Sequence, residues 1–224
     1  MVLITGGAQG LGRSIALNFA KNNYDILLTY LTNQEKALEL ANQIKEKYKV
    51  NCIVKKIDIT YEEDVKEMFN LYDIDIVINN ASLSNDNYIE DKSLDEFMNV
   101  VKVNLGGTYL VCKYSSNAKY IINISSTDGI NTYSPISLDY SASKAGIINL
   151  TKNLSLYYKD KKIFCVCPNW INTESVLNMN PEYLVSEMKR IGQKKLLDKN
   201  NVAKRIFELI NSNKESGSVV IINE

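Results

Sequence analysis

Seven short apolar runs, separated by longer stretches whose apolar residues recur at helical spacing, constrain this chain more than any other feature. The runs are VLIT (2–5), DILLTY (25–30), CIVKKI (52–57), DIVIN (75–79), YIINI (120–124), IFCVC (163–167) and SVVII (218–222). Helical patterns lie between them at about 11–22, 34–48, 61–71, 94–112, 138–158 and 200–211. Strands joined by helix-length connections run parallel, and right-handed crossovers lay helices on both sheet faces. The expectation is an α/β fold: one doubly wound, seven-stranded parallel sheet with helices on both faces, a single domain over residues 1–224. In such sheets ligands bind outside the carboxyl ends of the strands, where the strand order reverses. The residues just after each strand are therefore where chemistry is expected.

Composition removes whole classes of function. The chain has no histidine, which excludes histidine triads, histidine general bases and the usual zinc hydrolase sites. Proton chemistry must then use Tyr, Lys, Asp, Glu or Cys. Lys+Arg and Asp+Glu are balanced at 26 each, so no basic field points to nucleic acid and no polybasic tail to a membrane. Cys52, Cys112, Cys165 and Cys167 have no paired metal-ligand spacing, and no metal site is expected. Cys165 and Cys167 share an apolar strand-like run and are expected as buried free thiols. Met1 leads straight into VLIT with no signal-peptide pattern, and no apolar run reaches the length of a membrane span; a cytoplasmic location is expected.

Thr5-Gly6-Gly7-Ala8-Gln9-Gly10-Leu11-Gly12 follows the first run and opens a helical pattern. Gly6 suits a tight turn, Gly10 a close backbone approach to a pyrophosphate, and Gly12 close packing of helix on strand. Free amides at a helix start favour anionic phosphate. An NAD-selective site places a carboxylate after strand two to accept from the ribose 2′-hydroxyl. Here that strand ends Thr29-Tyr30-Leu31-Thr32-Asn33, with no carboxylate before Glu35. Thr32 and Asn33 can donate to a 2′-phosphate, which favours NADP(H) and leaves NAD open.

Tyr140 and Lys144 are one helical turn apart and share a face. A free phenol titrates near 10, and an ammonium about 4 Å away contributes roughly 4 kcal/mol at an effective dielectric of about 20. That is near three pKa units, enough to make the phenol a proton shuttle at neutral pH. By itself Tyr-x-x-x-Lys also fits a solvated helix face. Ser126, after strand five and three residues before Gly129, supplies a hydroxyl able to hold a carbonyl oxygen as charge develops there.

The order of these motifs resembles the short-chain dehydrogenase/reductase family, of Rossmann type, in its compact single-domain branch. The glycine turn matches T-G-x-x-x-G-x-G; Asn79-Asn80-Ala81-Ser82 resembles N-N-A-G, with Ser82 replacing the glycine. Ser126, Tyr140-x-x-x-Lys144 and Pro168-Asn169-Trp170-Ile171-Asn172-Thr173, against P-G-x-x-x-T, follow in the family order. The resemblance implies a dinucleotide site lined by Gly6, Gln9, Gly10, Leu11, Gly12, Tyr30, Thr32, Asp58, Ile59, Asn80, Ala81, Ser82, Tyr140, Lys144, Pro168, Asn169, Ile171 and Thr173. Gln9 stands where many NADP-dependent members carry arginine. Asp58 would hold the adenine amino group, or else cap the helix at 61–71. Ile171 and Thr173 would bind the nicotinamide carboxamide, and Asn169, in a glycine position, would tolerate a left-handed backbone.

In the same way the resemblance implies a catalytic set of Asn104, Ser126, Tyr140 and Lys144. Tyr140 would donate the proton, Lys144 bind the nicotinamide ribose and lower the tyrosine pKa, and Ser126 orient the carbonyl that takes the pro-S hydride. Asn104 would interrupt its helix and support a water relay to the lysine; its other reading is a helix end capped by Gly106 or Gly107. Ala142, Ala145 and Gly146 would allow close approach of a neighbouring element.

The nearest branch resembles 3-oxoacyl-(acyl-carrier-protein) reductases, through Asp86-Asn87 and the pattern Y-x-T-N-Q-E-K-A at 30–37. A small-molecule or acyl-thioester substrate is implied, with acyl carrier protein as a candidate partner and a homo-oligomer, tetramer or dimer, as the family habit. A sugar, polyol or other small ketone stays open, as does a non-catalytic dinucleotide-sensing regulator. Residues 174–195 are expected as a substrate lid, with Met179, Tyr183, Leu184 and Met188 on its apolar face. Two stretches depart from the family: LVCKYSSNAKY (110–120) is short, and the tail ends INE without Asp-Gly-Gly.

Overall fold

A computed structural model describes residues 1–223; the final Glu224 of the INE tail lies outside the described residues. Among them, β1 (Val2–Ile4), β2 (Ile26–Tyr30), β3 (Cys52–Lys56), β4 (Ile76–Asn79), β5 (Tyr120–Ile124), β6 (Lys162–Pro168) and β7 (Val219–Ile222) form one sheet. Its order is β3-β2-β1-β4-β5-β6-β7, with every neighbouring pair parallel. The order reverses between β1 and β4, which opens a crevice at their carboxyl ends. The doubly wound expectation holds, and all seven apolar runs are strands to within two residues of their ends.

Alternation along each strand divides the core in two. Val2, Ile4, Ile26, Leu28, Ile76, Ile78, Ile122, Ile124, Phe164 and Val166 face α1 (Gly10–Lys21), α2 (Gln34–Tyr48) and α9 (Lys199–Glu208). Leu3, Leu27, Val77, Ile121 and Ile163 face the opposite layer, which includes α3 (Glu62–Leu71) and α5 (Gly107–Tyr114). The long α6 (Leu138–Tyr157) lies on that second side, over β5 and β6. Period-two burial on both faces is what a parallel sheet requires.

The pattern at 94–112 is not one continuous helix. It divides into α4 (Leu94–Val101), a π-helical turn (Lys102–Gly106) and α5. Ser93 and Glu96 start α4 with a reciprocal capping box. The wider π turn turns Asn104 fully inward, as such turns do at functional sites. Gly106 and Gly107 do not cap a helix end, since both keep right-handed helical angles. Gly107 is small for a packing reason: a Cβ there would sit 2.5 Å from Ile59 Cδ1. After β6 come α7 (Glu174–Leu177) and α8 (Pro181–Arg190), neither of which contains a buried residue. Among the described residues no helix is long and apolar enough to cross a membrane.

Candidate active site

A cleft of about 900 Å³ runs along the carboxyl edge of the sheet, from the turn after β1 and β2 across to α6 and α7. Every residue expected at the dinucleotide and catalytic positions lines it except Asn104.

At one end the turn between β1 and α1 is shaped by backbone. Gly6 has φ +61°, and a Cβ on it would lie 2.9 Å from Ala81 Cα. Gly12 was expected to pack helix on strand; instead a Cβ there would strike Gly6 O and Asn80 Nδ2, both at 2.7 Å, so its smallness closes the turn on itself. Asn80 Nδ2 donates to the carbonyls of Thr5 and Gly6, and Thr5 Oγ1 accepts from the Asn80 and Ala81 amides. These bonds stitch the loop after β4 to the glycine turn across the reversal point. Gln9 is the N-cap of α1, in extended conformation, and its side chain makes no capping bond to the helix. Its Oε1 accepts from Asn33 Nδ2 at 2.9 Å and Lys36 Nζ at 3.4 Å. Lys36 is a cation at this end that the sequence reading did not single out. Asp58 Oδ1 accepts from the Thr60 amide and hydroxyl, which shapes the turn after β3; it does not cap α3, whose N-cap is Tyr61.

At the other end α6 carries Tyr140 and Lys144. The Lys144 ammonium is 5.2 Å from the Tyr140 ring centroid and donates to the Ile124 carbonyl at 3.0 Å. Ser125 Oγ donates to the Lys144 carbonyl. Ser126 Oγ instead accepts from the Asp128 amide and is the hydroxyl that acts on the Tyr140 phenol. Gly129 follows, and a Cβ on it would sit 2.7 Å from Ala145 N and the Lys144 carbonyl carbon. The small residues of α6 receive two neighbours: the turn at Gly129 beside Ala145, and Leu105 of the π turn against Gly146.

The electrostatics correct one expectation. The phenol is not acidified; it is pushed well above its ordinary value, first by burial and then by the Asp128 and Asp86 carboxylates, with the Ser126 hydroxyl opposing. Burial pulls Lys144 down from 10.5 to about 8. A desolvated ammonium is thus close to losing its own proton, and at the phenol burial acts first, with the Asp128 and Asp86 carboxylates adding to it. Asp128 is itself raised by burial, while Thr132 donates to its Oδ1 at 2.6 Å. Sequence reading passed over Asp128, although its place in Ser126-Thr127-Asp128-Gly129 was the available signal.

Asn104 does not reach the cleft. Its Oδ1 accepts from the Leu83 amide at 2.7 Å, and its Nδ2 donates to the Leu83 carbonyl and to Ser143 Oγ. Ser143 Oγ in turn donates to the Tyr140 carbonyl. Asn104 therefore ties the loop after β4 to α6. Asn169 is not left-handed. Its side chain holds the turn instead, with Oδ1 accepting from the Trp170 amide and from Thr127 Oγ1. Thr173 Oγ1 lies 3.1 Å from Ser175 Oγ. Of the proposed lid face, Met179 lines the cleft, whereas Tyr183, Leu184 and Met188 do not. All four cysteines are buried free thiols, with Cys165 and Cys167 sulfurs 3.8 Å apart behind Lys144.

A doubly wound sheet with a glycine turn at its reversal point and a Tyr–Lys–Ser group across the same cleft defines a dinucleotide-dependent class of enzyme. The model of the short chain dehydrogenase family matches residues 1–184, so the chain belongs to that family and is an NAD(P)-dependent oxidoreductase. It is 33% identical to a 3-oxoacyl-(acyl-carrier-protein) reductase of Aquifex aeolicus, over 80% of this chain and 77% of that protein. Among solved structures it is similar to ElxO with NADP bound, at 29% identity and a TM-score of 0.83, covering 99% of this chain and 96% of that one. It is also similar to a 3-oxoacyl-(acyl-carrier-protein) reductase of Brucella melitensis with bound NAD, at 26% identity and a TM-score of 0.86, covering 99% and 88%.

Proposed function

We propose that this protein is an NADP(H)-dependent reductase that converts a ketone to a secondary alcohol, with a 3-oxoacyl thioester as the substrate favoured by its Aquifex and Brucella relatives. One observation carries the reading: Tyr140, Lys144 and Ser126 converge on the same cleft as the glycine turn. The residues present fit the dinucleotide: Gly10, at φ +55° where α1 opens on the cleft, carries no side chain at the helix start that has to receive the pyrophosphate. NADP(H) is favoured over NAD(H) by Thr32, Asn33 and Lys36 beside Gln9, with no carboxylate on the strand-two turn.

When bound, the nicotinamide supplies or accepts the hydride. Gly6 to Gly12 hold the pyrophosphate end, Thr32 and Asn33 the adenosine ribose, and Asp58 and Ile59 the adenine. Asn80, Ala81, Ser82, Lys144, Ile171 and Thr173 hold the nicotinamide half. Ser126 Oγ orients the substrate carbonyl, and the Tyr140 hydroxyl gives its proton to the oxygen as charge builds there. A phenol kept protonated by burial and by Asp128 suits donation, hence reduction at neutral pH. The reverse reaction needs the phenolate and is expected to speed up as pH rises.

Asp86 and Asp128 favour a second substrate reading, a small hydroxylated ketone. Both line the cleft beside Tyr140, and each can accept a hydrogen bond from a substrate hydroxyl. NADPH oxidation with acetoacetyl thioesters and hydroxylated ketones, run beside Tyr140→Phe, tests both. A roughly 10³-fold lower rate in the variant is expected; equal rates would remove the enzyme mechanism, and the better substrate decides between the two classes.

A further inference from the structure

A buried ion pair sits directly behind the proposed proton donor, formed by residues that line neither the dinucleotide nor the substrate wall. Lys92 Nζ lies 2.7 Å from Asp139 Oδ2, and the two side chains are 3% and 0% exposed. The other oxygen, Asp139 Oδ1, accepts from the backbone amide of Tyr140 at 2.8 Å. The lysine also donates to the Asn85 carbonyl, and it is followed at once by Ser93, which caps α4. The carboxylate at the second position of α6 therefore joins the catalytic helix to a loop 47 residues earlier in the chain.

That loop forms the wall beside Tyr140 and is fastened at further points. Asp86 Oδ1 accepts from Ser137 Oγ at 2.6 Å, and the Asn87 amide donates to the Ile136 carbonyl at 2.9 Å. Those bonds lie at or before the helix start. Only the Lys92–Asp139 link reaches the Tyr140 amide itself, while Asn104 acts on the far side of the residue through Ser143 and the Tyr140 carbonyl. Tyr140 is thus gripped by its own backbone on both sides.

We propose that Lys92 is a positioning residue for Tyr140: acting through Asp139, it fixes the first turn of α6 so that the phenol meets the Ser126 hydroxyl and the substrate oxygen. The proposal rests on the reading of Tyr140 as proton donor. A displacement of about 1 Å at a reacting group can cost on the order of 100-fold in rate, which makes a backbone clamp at this point consequential. Burial adds to the effect, because a carboxylate left without its cation in a dry site forces local rearrangement.

The test compares the full chain with Lys92→Met, Lys92→Arg and the double variant Lys92→Met/Asp139→Leu. The readouts are kcat, KM, NADPH affinity, Tm and amide hydrogen exchange over residues 137–143. Lys92→Met is expected to lower kcat about 10- to 100-fold, leave NADPH affinity within twofold and speed exchange at the Tyr140 amide about tenfold; Lys92→Arg keeps kcat within threefold. The double variant, with no orphaned charge, is expected to regain Tm but not kcat. Folded Lys92→Met with unchanged exchange and kcat, or a double variant that regains both Tm and kcat, overturns the proposal. If Tyr140→Phe matches the wild type, the proton-donor reading fails, while the exchange measurement still decides whether Lys92 clamps this turn.

Discussion

The two faces of the sheet come from the same alternating strands but bury different things. Toward α1, α2 and α9 the face is mainly apolar, with Phe19 in edge contact with Tyr24 and Phe207. Toward α6 it is apolar only at the amino ends of the strands. Nearer the carboxyl ends come Asn79, Asn123, Cys165 and Cys167, with Thr151 and Lys144 above them. Asn79 Nδ2 donates to Asn123 Oδ1, and Asn123 Nδ2 to Thr151 Oγ1, yet Asn79 Oδ1 has no partner. One face supplies stability through burial; the other gives some of it up to hold a cation and a phenol where water is scarce.

Phe19→Ala should show the largest effect on stability. Emptying a fully buried aromatic site costs about 3–5 kcal/mol, and the expected result is a steep fall in the denaturation midpoint with kcat of the remaining folded enzyme unchanged. An equal fall in kcat would mean that the faces are not independent.

Lys144→Met should move the other way. Its ammonium titrates at about 8 when folded against 10.5 unfolded, so at neutral pH burying the charge costs about 3 kcal/mol. Below about pH 8 both states hold the proton and the penalty is complete; between about 8 and 10.5 the unfolded chain binds more protons, and stability rises with pH. Losing the bond to the Ile124 carbonyl returns about 1 kcal/mol. The variant is therefore expected to be inactive, to be more stable by about 2 kcal/mol at pH 7 in urea unfolding, and to lack the alkaline rise. A less stable variant at pH 7 would refute the trade between the faces.

Gly129→Ala is the mildest of the three, about 1–2 kcal/mol of overpacking. Its Cβ would press on the backbone of Lys144 and Ala145, so both Tm and kcat are expected to drop together, measurably in one thermal scan and one rate assay.

Much of the site was legible because its signals are local. A glycine turn after a strand, a Tyr and Lys one turn apart and a serine after β5 are each read within a few residues, and the parallel fold brings their positions to one edge. Asn104 shows the limit. Its motif marked the helix interruption, but its bonds to Leu83 and Ser143 span 21 and 39 residues and are set by elements far apart in the chain. Asn169 shows another: the residue in the glycine position does not use the left-handed backbone it would tolerate, and its side chain bonds the Trp170 amide and Thr127 instead.

The order and character of the residues determined the sheet, the place of the cleft and the identity of the groups in it, since periodicity and turn chemistry act over short stretches of chain. Tertiary structure alone decided that the phenol keeps its proton, that Lys144 is weakened as a cation and that Lys92 meets Asp139. Each of those depends on burial and charge brought together from distant elements, and an electrostatic environment is a property of the packed molecule.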